Sequence, residues 1–114
     1  MSTFYKIYAM ALCLCSASFL YANESLPTIE QGMRYSELKK TLISQGWHGL
    51  TNKQIENSSL YANEVYNQGM TEVVDCISME LDGCRFHFEK NNQILEIKTI
   101  TRQLTVDSFS VIKK

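Results

Sequence analysis

The sequence predicts an α+β domain of two layers, with one amphipathic helix packed on an antiparallel sheet of four to five strands and stapled by one disulfide. Three observations lead there. A helical stripe stands near the start of the body, four β-rich runs separated by turn signals follow it, and two cysteines sit on neighbouring runs. Helix first and strands afterwards is the order expected of an antiparallel sheet with one covered face.

From Arg34 to Gln45 the apolar positions Tyr35, Leu38, Leu42 and Ile43 recur at the spacing of one helix face, and Lys39, Lys40 and Gln45 take the wet side. Gly46 supplies the stop, since a residue just past a helix commonly adopts positive φ. Trp47 follows directly and belongs to the core, and with Leu50 it starts a short strand. Residues 51–59 read as a polar loop. Leu60 to Asn67 fits either a short helix or a strand, and its composition leans to a strand centred on Glu64-Val65-Tyr66.

Glu72 to Ile77, Cys84 to Glu89, Ile94 to Thr101 and Leu104 to Ile112 carry the β-branched and aromatic residues of strands. Leu81-Asp82-Gly83 and residues 90–93 supply turns. Alternation puts Cys84, Phe86 and Phe88 on one face and Arg85, His87 and Glu89 on the other. The aromatic face goes inward, Val74 and Cys76 join it, and Leu95 and Ile97 extend it, leaving Glu96 and Lys98 outside.

Ahead of this body, residues 1–22 read as a secretory signal, with Lys6 before the apolar run Ile7 to Cys15 and Ala22 as the favoured cleavage point. Polar residues enter from Ser16, which shortens the run below what a spanning helix needs, and Leu12 and Leu14 stand where lipid attachment at Cys13 or Cys15 needs a small residue. Residues 23–33, with the single proline Pro27, form a flexible arm before one α+β domain over 34–114. Export places Cys76 and Cys84 in an oxidising compartment. With seven residues between them, they meet across a hairpin as a disulfide.

All 12 acidic residues but only 10 of the 11 basic ones follow residue 22, so the mature chain carries a formal charge of −2. That balance excludes a nucleic-acid partner, whose binding needs clustered cations. A metal site made of Cys76, Cys84 and His87 is disfavoured because alternation sends His87 to the face opposite Cys84; no metal and no cofactor are expected. His48, with Ser36 or Ser44 as nucleophile, lacks an orienting third group, and Ser36 to Lys39 matches a penicillin-binding pattern only by accident in so short a chain. The protein reads as a non-enzyme, a small hydrolase being the weakest alternative.

The candidate binding surface is the outward strip Arg85, His87, Glu89, Glu96 and Lys98, which also fits an ordinary solvated face with cross-strand charge pairs. Tyr61 and Tyr66 stand open between core and surface.

One resemblance runs through the same residues. Gly32, Met33, Tyr35, Glu37, Leu42, Gly46 and Trp47, then Gly69, Glu72, Val73, Cys76, Cys84, Arg85, Phe86 and Phe88, and finally Leu95 to Thr99 form a two-block pattern. It resembles a largely uncharacterised family of small bacterial periplasmic proteins. The likeness covers about Gly32 to Thr101 and departs in the loop between the cysteines, where relatives tend to be glycine-rich and this chain has Ile77 to Gly83. It implies a periplasmic or secreted location and the crosslink, and brings no activity. In architecture alone the chain is similar to helix-plus-sheet domains of outer-membrane assembly lipoproteins and of β-lactamase-inhibitory proteins. The expectation is a periplasmic protein-binding module, inhibitor-like or immunity-like, that meets its protein partner through the sheet face or the cysteine loop. An envelope structural or assembly accessory is the alternative, and no integral membrane segment is expected after signal cleavage.

Overall fold

A computed structural model describes residues 26–113 of the chain. The signal sequence and its cleavage point lie outside the described residues. Two helices cover one face of a five-stranded antiparallel sheet. The elements in order are α1 (Tyr35–Ser44), β1 (His48–Gly49), a 3₁₀ turn (Ile55–Asn57), α2 (Leu60–Asn67), β2 (Val73–Ile77), β3 (Gly83–Lys90), β4 (Gln93–Ile100) and β5 (Thr105–Lys113). The α+β architecture read from the sequence is present, with a second helix in addition.

Helix α1 buries Tyr35, Leu38 and Leu42, the stripe that its sequence spacing marks. Gly46 takes φ +92° just beyond it, and the amide of Trp47 returns to the Leu42 carbonyl at 3.0 Å, which seals the helix end. Trp47 is buried. The strand that follows consists of His48 and Gly49 alone.

The second helix corrects the strand reading of residues 60–67. Ser59 accepts a hydrogen bond from the Ala62 amide at 3.1 Å as an N-cap, and Tyr61, Ala62 and Val65 turn one face inward. Spacings of one and three are a helix stripe, and the central Val65-Tyr66 pair obscures it. Tyr61 is a core residue, which removes it from the exposed anchors.

β3 is the organising strand. β4 runs along one side of it, with Cys84 opposite Thr99 through to Lys90 opposite Gln93. β2 and β1 share the other side, β2 pairing with Gly83 to Phe86 and β1 with Phe88 and Glu89. β5 pairs with β4 and closes the order. Cys84, Phe86 and Phe88 all point inward and are buried, as alternation requires.

In β2 the register shifts between Val73, opposite Phe86, and Asp75, opposite Arg85. This bulge overturns the expectation that Val74 and Cys76 share the inner face. Val73 and Cys76 are buried, and Val74 is the extra residue.

The core joins these elements. Tyr35 stacks on Phe86 with centroids 3.9 Å apart, and Leu38, Leu42, Val65, Val73, Phe88, Leu95, Ile97 and Val106 fill the layer between helices and sheet. A buried polar tie crosses it. The Tyr35 hydroxyl donates to Glu72, and Lys39 Nζ meets Glu72 Oε1 at 3.0 Å. Glu72 is 3% exposed, so its charge is held by these two partners and not by bulk water. Burial first, and then the charge and hydrogen bond of Glu72, hold the Tyr35 phenol protonated far above the usual tyrosine range. Gly49 permits the approach, since a Cβ there would stand 3.1 Å from Cβ of Glu72.

Residues 26–33 lie against this domain. Leu26, Ile29 and Met33 pack on the core, and the strand-like exchange of Gly32 N to Val106 O and Val106 N to Met33 O, both at 2.8 Å, ties the segment to the start of β5.

Candidate interaction surface

The disulfide sets the geometry of the candidate surface. Cys76 and Cys84 stand directly opposite each other on β2 and β3 and are bonded, so the segment 77–83 leaves and re-enters the sheet one rung beyond the crosslink, where Ile77 pairs with Gly83. Ile77, Met79 and Leu81 on this loop are 59%, 73% and 59% exposed, a concentration of large apolar side chains that no element covers. The loop is held at its far side, where the Thr101 amide donates to the Leu81 carbonyl and Arg102 Nε lies 3.6 Å from Asp82. Arg102 also lies 3.9 Å above the Tyr61 ring, which links the loop to α2.

Beside the loop, the outer face of the sheet carries an ion-paired row. Arg85 forms a two-pronged pair with Asp75, Nε to Oδ1 at 3.0 Å and Nη2 to Oδ2 at 2.7 Å, and its Nη1 reaches Glu96 Oε2 at 3.3 Å. The same Glu96 oxygen lies 2.8 Å from His87 Nε2. The sequence places Arg85, His87, Glu89, Glu96 and Lys98 together on this face; the structure brings four of them together through the Arg85–Lys98 and His87–Glu96 register pairs, and sets Glu89 further along β3, opposite Ile94 and His48. Two details differ from a solvated strip. Glu96 is 7% exposed, buried beneath its cationic neighbours, and Asp75 belongs to the row. A signal for Asp75 exists in the sequence, because it adjoins the inward Cys76 and strands alternate.

These charges act on one another. The Arg85 hydrogen bonds hold the Asp75 carboxyl below its usual range against the opposing push of partial burial, and Asp75 in turn raises Arg85. For Glu96, burial pushes upward, but the His87 hydrogen bond and the charges of Arg85, His87 and Lys98 outweigh it, and the group stays below the ordinary carboxylate value. The row is a set of mutually fixed charges. Its side chains are therefore pre-ordered, which reduces the entropy lost when a partner docks on them.

Loop and row enclose an open hollow of about 710 Å³, lined by Ile77, Met79, Leu81, Arg85, Lys98 and Ile100 among others. Its lining includes four acids, Asp75, Glu80, Asp82 and Asp107, and two bases, Arg85 and Lys98. Two of these acids are paired, Asp75 with Arg85 and Asp82 with Arg102.

The other constellations are not assembled. The Ser44 hydroxyl donates to the Thr41 carbonyl, Ser36 stands on exposed helix surface, and His48 is an exposed residue opposite Glu89 on the sheet. Cys84 is bonded to Cys76 on the buried face and His87 to Glu96 on the outer one, so the Cys-Cys-His set is split across the sheet. Among the described residues, no helix is long and apolar enough to cross a membrane. No family model matches the chain, and comparison with curated proteins and with solved structures gives no match.

Proposed function

We propose that this chain is an exported, non-enzymatic interaction module of the bacterial periplasm, and that it holds a protein partner in the hollow between its crosslinked loop and the outer face of its sheet. The observation that carries the reading is the exposure of Ile77, Met79 and Leu81 on a loop fixed at both ends, next to a row of pre-paired charges. Exposed large apolar side chains on a constrained scaffold, bordered by polar groups, are how protein contact sites are built. The excess of acids over bases in the lining favours a partner segment with an apolar anchor flanked by lysine or arginine. The signal sequence and the likeness to periplasmic proteins support the location, and an oxidising compartment supports the disulfide.

The test is site-specific photocrosslinking in cells, with the probe at Met79, at Leu81 and, as a control, at Lys53. Adducts to one basic-surfaced protein from positions 79 and 81 and not from 53 are expected. Equal adducts from all three positions, or none from the loop, overturn the proposal.

A further inference from the structure

Three methionines, Met33, Met70 and Met79, stand among the described residues, and their sulfurs differ in how an oxidant can reach them. Met33 and Met70 are half-buried and pack against the core, and the Met33 sulfur also accepts a hydrogen bond from the Glu30 amide at 3.4 Å. Met79 is 73% exposed on the loop between the cysteines. The backbone that presents it is tied: the Asp82 amide returns to the Met79 carbonyl at 3.1 Å, the Thr101 amide holds the Leu81 carbonyl, and the disulfide joins the strands on either side. The same side chain lines the hollow together with Ile77 and Leu81. One thioether is therefore both open to solvent and part of an apolar wall.

We propose that Met79 is an oxidation site, at which a peroxide converts the thioether to a sulfoxide, and that this modification turns the wall of the hollow polar and releases the protein docked there. The sulfur lone pair attacks one peroxide oxygen, and the S–O bond forms as the O–O bond breaks. Sulfur gives up two electrons, and the departing oxygen takes the proton of the transferred one and leaves as water. Reversal uses two thiols of a sulfoxide reductase, which become a disulfide as the oxygen is released as water. Access sets the rate. A sulfur packed against the core reacts only in molecules that have opened locally, whereas Met79 reacts in the folded state. Cys76 and Cys84 are buried and already joined, so they offer no thiolate to compete for the oxidant. The sulfoxide is polar where methionine was flexible and apolar; at this exposed position it leaves the fold intact and disrupts an apolar contact.

The oxidation stands on the exposure and packing of the three sulfurs, and only its effect on docking rests on the proposed function. The folded protein, with its disulfide intact, is treated with hydrogen peroxide, and the oxygen gained by each methionine-bearing peptide is followed by mass. Met79 is expected to take up oxygen at least about tenfold faster than Met33 and Met70, and the difference is expected to vanish in urea. Equal rates at the three positions in the folded protein overturn the oxidation site. Docking is then read from a photocrosslinking probe at Leu81, with the oxidised protein freed of peroxide and added to an extract of the exported fraction. Its adduct is expected to fall at least about fivefold and to return after treatment with a sulfoxide reductase, whereas Met79→Leu crosslinks equally before and after peroxide. Oxidised protein that crosslinks as well as untreated protein overturns the switch. No adduct from the untreated protein defeats the docking reading and the switch with it, while the three oxidation rates still decide the site.

Discussion

At the scale of single residues, the decisive group is Glu72, a carboxylate 3% exposed whose charge is met by the Tyr35 hydroxyl and Lys39. Removing one partner of a buried ion leaves the desolvation cost uncompensated, so Tyr35→Phe is expected to destabilise the fold by about 1.5 to 3 kcal/mol in urea unfolding, although only one oxygen is deleted. A loss below about 0.5 kcal/mol would show that the tie contributes nothing. On the outer face, Asp75 and Glu96 both titrate below their ordinary values of 3.8 and 4.5. A lowered folded-state value means that the unfolded chain binds protons first as pH falls, so the stabilisation is complete above about pH 5 and is lost progressively below it. Urea midpoints are expected to stay level from pH 7 to 5 and then decline. Asp75→Asn with Glu96→Gln removes that part of the acid-side decline, and an unchanged slope in the double variant would contradict the assignment.

At the scale of elements, the disulfide joins two strands at one rung and closes a short loop. In the chain-entropy account a loop of this size contributes roughly 2 to 3 kcal/mol, so replacing both cysteines by serine is expected to lower Tm by about 10 °C or more. Limited proteolysis is expected to show a second effect, cleavage confined to residues 77–83 in the variant, since the loop loses one of its anchors. The strand β3 was legible in the sequence because its alternation is unbroken, Cys84-Arg85-Phe86-His87-Phe88 being alternately buried and half-exposed, and β4 was legible from its β-branched residues although Glu96 is buried between Leu95 and Ile97. The helix α2 was not, because it is only eight residues long and its stripe is interrupted by Tyr66, and what fixes it is a cap supplied by Ser59. The bulge in β2 was equally hidden. Val73-Val74 offers two apolar neighbours, and alternation counted back from Cys76 selects the wrong one, because the choice depends on how Phe86 and Arg85 pair across the strand.

At the scale of the whole molecule, the helices occupy one face of the sheet and leave the other for the row Asp75, Arg85, Glu96 and His87, with the crosslinked loop at its end. Strand parity placed Arg85, His87 and Glu96 of the row, but the sequence reading left out Asp75 and gave neither the burial of Glu96 nor the apolar character of the neighbouring loop as a surface. Those follow from the placement of Ile77, Met79 and Leu81 where neither helix reaches. Apolar groups at the centre of a protein contact carry most of the binding free energy, and rim charges set approach and orientation. The measurement that tests this most directly is the affinity of the partner crosslinked at Met79, purified and titrated against the wild-type chain and against Met79→Asp/Leu81→Asp. Both changes lie at exposed positions, so the fold is expected to survive them. A loss of affinity of at least a hundredfold, with unchanged thermal unfolding and with a control Phe109→Ser binding as the wild type does, is the predicted result. Wild-type affinity in the loop variant would contradict the account and place the contact elsewhere on the molecule.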